Sequence, residues 1–203
     1  MNKVVTHEHI EKAMSYQAYS ELINNLLADG KTTGSNHAEN MIEYTKMNEQ
    51  RRKRLDKTTI INPQLEQEIK AVKERWYWLI LSEAWCGDAA QNVPVLAKMA
   101  ELNDNIVLKL LLRDENPDVM EAYLTNGGKS IPKLVCLNQD DLAEVGVWGP
   151  RPKQAQVMVE AYKANPTSSY ADFVKEVQLW YAKDKTKTLQ EEIMNLLKQW
   201  NNG

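Results

Sequence analysis

The sequence predicts an α/β fold in which helices cover a mixed β-sheet. Two continuous apolar runs, Trp76–Ser82 and Ile106–Leu112, have the character of buried strands and alternate with helical segments, which is typical of a parallel part of a sheet. Two later strands, Lys133–Leu137 and Leu142–Val147, are separated by a short polar turn and predict an antiparallel hairpin. The apolar fraction of 43% and the charged fraction of 26% are ordinary for a globular protein.

Residues 1–73 are predicted to form an N-terminal helical extension packed on the core. The apolar residues of Thr6–Gly30 are spaced for an amphipathic helix with a threonine cap. A second helix is predicted over His37–Leu55. Asn62 followed by Pro63 indicates a capped helix start with proline in the first turn.

Residues 74–165 are predicted to hold the sheet, and residues 166–203 to form C-terminal helices. A turn at Ala84–Asp88 joins the first strand to a helix over Ala89–Leu102, and proline and glycine break the chain at Gly149–Pro152. The remaining predicted helices are Pro117–Leu124, Lys153–Lys163, Tyr170–Ala182 and Thr188–Trp200.

Cysteine content and charge exclude several classes of protein. Two cysteines, Cys86 and Cys136, are too few for a secreted disulfide scaffold. A net charge of −3 does not indicate nucleic-acid binding, and no apolar run is long enough to span a bilayer. Met1–Ile10 lacks the apolar core of a signal peptide. We therefore expect a cytoplasmic protein with two free thiols.

Cys86 is the first candidate for chemistry, because it lies where a buried strand turns into a helix. The free N–H groups and the dipole at a helix N-terminus stabilise an anion. A thiolate there is expected to have a lowered pKa, so we predict a reactive, partly exposed nucleophile. The alternative is a small apolar residue that fills the turn without reacting.

Trp85-Cys86-Gly87 at this turn resembles the active site of the thioredoxin family, whose motif is Trp-Cys-Gly-Pro-Cys. Pro94 stands where thioredoxins carry a helix-kinking proline, and Ile131-Pro132 resembles their cis-proline loop. The resemblance covers roughly residues 76–149 and implies a thioredoxin-like fold. It also implies that Trp85, Gly87, Ile131 and Pro132 contact the substrate chain.

The sequence departs from the family motif at positions that matter for mechanism. Ala89 occupies the place of the second cysteine, Asp88 that of the proline, and Ile80 that of a buried acidic residue. Glu83 is close to the motif but is expected to face solvent. A mixed disulfide on Cys86 must then be resolved by glutathione or by a second protein.

Two residues near the motif have two interpretations each. Asp88 can exchange a proton with the Cys86 thiol, or it can serve as a favourable acid in the first helical turn, which we favour. Cys136 lies four residues beyond Pro132, about 13 Å along a strand, whereas a disulfide needs Cα atoms within about 7 Å. We therefore predict that Cys136 is an inert core residue.

The basic run Arg51–Arg54 is interpreted as the solvated face of a helix, with an anion or nucleic-acid contact as the alternative. His7, His9 and His37 form no metal-ligand spacing, so no metal and no other cofactor is predicted. The favoured function is a monothiol thioredoxin-like oxidoreductase that acts on protein thiols or disulfides, or on glutathione. A non-catalytic peptide-binding module is the main alternative, and a glutathione-linked transferase remains open. The sequence indicates no oligomeric state.

Overall fold

A computed structural model describes residues 4–201 and contains one mixed four-stranded sheet. The outermost residues of the predicted N-terminal extension and C-terminal helices, 1–3 and 202–203, lie outside the described residues. The strands are β1 (Trp76–Ser82), β2 (Ile106–Leu112), β3 (Lys133–Asn138) and β4 (Glu144–Trp148). Their order in the sheet is β2-β1-β3-β4.

The direction of the strands agrees with the prediction. β1 pairs with β2 in parallel, and it pairs with β3 antiparallel. β3 and β4 form the predicted antiparallel hairpin, with a register shift between Cys136 and Leu137. The α/β fold class with a mixed sheet is thereby confirmed.

Nine α-helices surround this sheet within residues 4–201. The bounds are α1 (His7–Lys12), α2 (Tyr16–Ala28), α3 (Glu39–Thr58), α4 (Pro63–Lys70), α5 (Gly87–Ala100), α6 (Pro117–Ala122), α7 (Lys153–Ala164), α8 (Tyr170–Asp184) and α9 (Lys187–Trp200). A short 3₁₀ turn, Arg113–Glu115, follows β2. Asn62 caps α4 as predicted, since its Oδ1 accepts a hydrogen bond from Gln64 N at 2.8 Å.

The predicted continuous helix over Thr6–Gly30 is wrong at its middle. The chain leaves the helical conformation between α1 and α2, and Met14 exchanges two backbone hydrogen bonds of 2.8 Å with Leu110 of β2. These bonds satisfy backbone groups on the open edge of β2, which otherwise has no strand beside it. Edge pairing therefore outweighs the local helical periodicity.

The start of the last strand also differs from the prediction. Leu142 has φ 56°, which places it in the left-handed region within the turn, so β4 begins at Glu144. The buried side chain of Leu142 belongs to the main core rather than to a strand face.

The buried apolar residues form two separate clusters. The main core joins the sheet to α1, α2, α4, α5, α6 and α9. A smaller cluster lies within the α7–α8 pair and centres on Phe173, Val177 and Tyr181. The Tyr162 ring stacks on Phe173 with centroids 4.0 Å apart. The α7–α8 pair thus has an apolar core of its own.

Candidate functional site

Cys86 caps the N-terminus of α5, directly after the turn that leaves β1. Its Sγ accepts a hydrogen bond from Ala89 N at 3.4 Å. The thiol also donates to the carbonyl oxygen of Ile131 at 3.2 Å. The Ile131–Pro132 peptide bond is cis. The thiol, the helix terminus and the proline loop named in the sequence analysis are therefore together at one point.

The predicted exposure of Cys86 and its predicted low pKa are both wrong. The residue is 9% exposed. Burial raises the pKa of the Cys86 thiol to about 12, and the Asp88 carboxylate adds to the rise. The N–H groups of Ala89 and Asp88 and the Arg151 guanidinium oppose it, but they do not offset the loss of solvent.

Asp88 forms a partly buried ion pair with Arg151. Its Oδ2 accepts from Arg151 Nη2 at 2.6 Å and from Arg151 Nε at 2.9 Å. Its Oδ1 accepts from the Tyr181 hydroxyl at 2.8 Å. Burial acts to lower the pKa of Arg151, but the Asp88 carboxylate reverses this and the net direction is upward. Asp88 thus connects α5 to the segment before α7 and to α8, in addition to its place in the first helical turn.

Helix α8 covers the turn that carries the thiol. Gln178 Oε1 accepts from Gln91 Nε2 at 2.8 Å, and the Tyr181 hydroxyl accepts from Asn92 Nδ2 at 3.1 Å. A Cβ atom on Gly87 would lie 3.0 Å from Gln178 Nε2. The absence of a side chain at Gly87 therefore lets α8 approach the first turn of α5.

The other predicted contact residues surround the same point. Trp85 is half-buried, and the guanidinium of Arg113 stacks over its ring 4.7 Å from the centroid. Ile131 and Pro132 are buried. On the opposite side Asn48 of α3 donates to the Ala84 carbonyl at 3.0 Å and holds the turn in place.

Glu83 does not face solvent, contrary to the prediction. It is 1% exposed, and its Oε1 accepts from Asp114 N at 3.0 Å. Burial raises the pKa of this carboxyl group. The loop before α3 encloses the same turn, because Thr33 Oγ1 accepts from Ala84 N at 2.9 Å. A buried acid therefore lies near Cys86, although not at the position that the family motif suggested.

The basic run on α3 is only partly a solvated face. Arg52 is 5% exposed and forms an ion pair with the buried Glu49, whereas Lys53 and Arg54 are exposed. The Arg52 guanidinium also lies over the Tyr16 ring, 5.5 Å from its centroid. Arg52 thus binds α3 to α2 from within the protein.

Cys136 is fully buried in β3, as predicted for a core residue. Burial raises the pKa of its thiol. Both cysteines are free thiols. Among residues 4–201, no group of three His, Cys, Asp or Glu side chains is arranged to hold a metal ion.

Arg151, Tyr181 and Gln178 belong to the site, but they were not among the predicted site residues. The sequence held a weak indication of Arg151. Pro150 and Pro152 on either side of it restrict the backbone and so fix the position of the arginine. Tyr181 and Gln178 lie on a helix about 90 residues after Cys86, and nothing in their spacing points to the motif.

Comparison with known proteins agrees with this geometry. Residues 34–163 match the family described as Thioredoxin. The match spans more than half of the chain, so this protein belongs to the thioredoxin family. No curated protein matches the sequence.

Two solved structures share the fold. One is the crystal structure of a protein of unknown function from Pseudomonas aeruginosa, with a TM-score of 0.54 and 15% identity over 91% of this chain and 98% of that one. The other is an HIV epitope scaffold, with a TM-score of 0.52 and 16% identity over the same shares of the two chains. At this identity the likeness concerns the fold alone.

None of the helices in the described part of the chain has the length and apolar character needed to cross a membrane.

Proposed function

We propose that this protein carries out thiol–disulfide exchange through a single thiol, Cys86. One observation supports this above the others. Cys86 Sγ accepts the Ala89 N–H at the start of α5 and lies 3.2 Å from the Ile131 carbonyl, beside the cis-proline loop. A nucleophile, a group that stabilises its anion and an edge of backbone for a substrate chain are thus adjacent.

The proposed reaction needs only a partner disulfide and an external thiol. The Cys86 thiolate attacks one sulfur of the disulfide, a new S–S bond forms, and the old S–S bond breaks. The second partner sulfur leaves as a thiolate with the electron pair of the broken bond. Glutathione or a protein thiol then attacks the mixed disulfide and releases Cys86, because Ala89 offers no sulfur and Cys136 is buried in β3.

Access to the thiol is part of this proposal. With α8 closed, Cys86 is buried and protonated at neutral pH. Displacement of α8 hydrates the thiol and removes the main cause of its raised pKa. Arg151 is then the nearby cation that favours the thiolate, in competition with Asp88. A reducing cytoplasm, where a lone thiol stays free, is the compartment that suits this chemistry.

The test uses single-cysteine variants of the full chain. Cys136→Ser protein is incubated with glutathione disulfide and analysed by intact mass, and Cys86→Ser is the matched control. We expect one glutathione adduct on Cys86, which reduced glutathione removes, and none on the control. Failure of the folded protein to form an adduct that the urea-unfolded protein forms readily would contradict the proposal.

A non-catalytic binding module is the second candidate, and the burial of Cys86 is the observation that favours it. In that case Ile131 and Pro132 hold a peptide without covalent chemistry. Binding then survives Cys86→Ser and is lost when the loop is altered. A partner captured only as a mixed disulfide supports the first candidate instead.

A further inference from the structure

A groove of about 710 Å³ lies between the end of α3 and the junction of α8 with α9. Its volume falls in the range of about 300 to 1,000 Å³ that is typical of small-molecule sites. Leu55 and Leu65 are buried beneath it, and Met194 is partly buried. Ile60 lines the same groove although it is 84% exposed. An apolar surface is therefore open to a ligand there.

The groove is fixed by one buried side chain, Gln190, which is 7% exposed. Gln190 Oε1 accepts from Asn62 N at 2.7 Å, and its Nε2 donates to the Ile60 carbonyl at 3.1 Å and to Thr186 Oγ1 at 2.9 Å. These bonds join the loop after α3 to the start of α9. The shape of the groove is thus present before any ligand binds.

One buried polar atom at the groove lacks a partner within the described chain, and two residues beside it have an unusual backbone conformation. The buried Thr59 Oγ1 has no hydrogen-bond partner among residues 4–201. Lys185 and Thr186, neither of them glycine, have φ values of 53° and 67°. Such conformations are uncommon and persist where the surrounding structure imposes them, often at ligand sites.

The charge of the groove is mainly positive. Arg54, Lys185 and Lys187 line it, and none of them forms an ion pair with a described acidic residue. Glu191 is the single carboxylate among its lining residues. Three unpaired cations beside an apolar floor complement a ligand that is anionic at one end and apolar at the other.

We propose that this groove binds a small amphipathic carboxylate. Its carboxylate interacts with Arg54, Lys185 and Lys187, and its alkyl chain covers Ile60, Leu55 and Met194. The site is separate from the thiol, although Tyr181 lines the groove and also bonds to Asp88 beside the thiol. The proposal does not depend on redox activity of Cys86.

Isothermal titration of the full chain with decanoate, below its micelle concentration, tests the proposal. We expect saturable binding with one molecule per chain. Decanol has the same chain without charge, and decyltrimethylammonium has the opposite charge. Both are expected to bind at least about tenfold more weakly, since loss of the charge interactions costs about 1.4 kcal/mol or more. Equal binding of decanol and decanoate would overturn the proposal.

Charge-reversal variants locate the site. Lys185→Glu combined with Lys187→Glu is expected to weaken decanoate binding at least about tenfold. Lys163→Glu is the matched control, because Lys163 is exposed on α7 and does not line the groove, and it is expected to change affinity less than twofold. Ile60→Asp is a second variant. Because Ile60 is exposed, unfolding would not explain a loss of decanoate binding in this variant.

Three results would refute this assignment, in addition to equal binding of decanol and decanoate. They are the absence of saturable binding, unchanged affinity in the double variant, and equal loss in the Lys163→Glu control. Sedimentation velocity adds a further one, since a dimer that charge reversal abolishes assigns the groove to a second copy of the chain instead. Retained helical circular dichroism in each variant shows that the comparison is between folded proteins.

Discussion

The Arg151 guanidinium donates to Asp88 Oδ2 from both Nη2 and Nε, at 2.6 and 2.9 Å. Arg151 lowers the pKa of Cys86 and Asp88 raises it, so the pair acts on the thiol in opposite senses. Arg151 is the cation that would favour a thiolate on Cys86. Its charge is largely neutralised by the carboxylate of Asp88, two residues after Cys86. The residue at position 88 therefore determines how strongly Arg151 lowers the pKa of Cys86.

Asp88→Asn is expected to lower the pKa of Cys86, because the opposing carboxylate is lost while Arg151 remains. The rate of iodoacetamide alkylation at a fixed pH below the pKa rises about tenfold for each unit of the fall. Measurement is in the Cys136→Ser background across a pH series. Arg151→Gln is the matched variant and is expected to slow alkylation. Equal pH profiles for all three proteins would show that the pair does not act on the thiol.

Tyr181→Phe is expected to loosen α8 over the site. The hydroxyl group donates to Asp88 and accepts from Asn92, so its removal costs about 1 to 2 kcal/mol of unfolding free energy. Cys86 alkylation should rise severalfold. Tyr162→Phe is the control, since its hydroxyl bonds to the Ser168 carbonyl within the α7–α8 connection. Faster alkylation in both variants would indicate general loosening instead of release of the cover.

Alkaline pH is expected to reduce the stability that the buried Cys86 thiol contributes. Its pKa is about 12 in the folded protein against 9.0 for an unperturbed thiol. The folded state thus holds the proton more tightly. The contribution is complete below about pH 9 and is lost as pH rises towards about 12, by at most about 1.4 kcal/mol per pH unit. Urea unfolding of the wild type and Cys86→Ala should converge over this window, and parallel curves would contradict the burial of the thiol.

Gly146→Ala is expected to destabilise the fold at the contact between β4 and α9. A Cβ atom there would lie 2.1 Å from Trp200 Nε1, and the Trp200 ring packs edge-on against Trp76. Displacing the indole costs about 1 to 3 kcal/mol in urea unfolding. Gly128→Ala is the control, because its nearest contact is 3.4 Å away, and it is expected to change stability by less than about 0.5 kcal/mol.

A double variant shows whether the Trp200 indole or the β4 backbone causes this loss of stability. If Trp200 is the obstacle, Gly146→Ala costs little in a Trp200→Ala background, because the indole is already absent. An equal cost in both backgrounds would attribute the loss to the β4 backbone instead.

Much of the fold could be predicted, because continuous apolar runs mark buried strands directly. Trp76–Ser82 and Ile106–Leu112 have the same bounds in the sequence analysis and in the structure. The meeting of Cys86 with Ile131 and Pro132 was implied by the family resemblance and by the order of the elements. Such features depend on neighbouring residues or on a shared topology.

The environment of the thiol could not be predicted, because it depends on contacts between distant segments. Cys86 is buried beside Ile131, and α8 and Arg151 bond to Asp88 two residues away. Glu83 is enclosed by the segments that carry Thr33 and Asp114. Met14 interrupts the predicted helix and pairs with Leu110 at the edge of β2. Each of these contacts rests on one or two side chains or on a single pair of backbone hydrogen bonds, and none of them follows a periodic pattern.

The separate apolar cluster of the α7–α8 pair has a consequence for how access to Cys86 responds to conditions. Contacts of α8 with α5 include the polar bonds of Gln178 and Tyr181, while the Phe173 cluster stays within the pair. In the proposed displacement of α8, the cluster stays intact and its apolar surface is not exposed, so we expect a small heat-capacity change and a shallow dependence on urea. Access to the thiol by this opening is then set by a few polar bonds, and its free energy changes almost linearly with temperature, whereas the stability of the whole fold follows a curve.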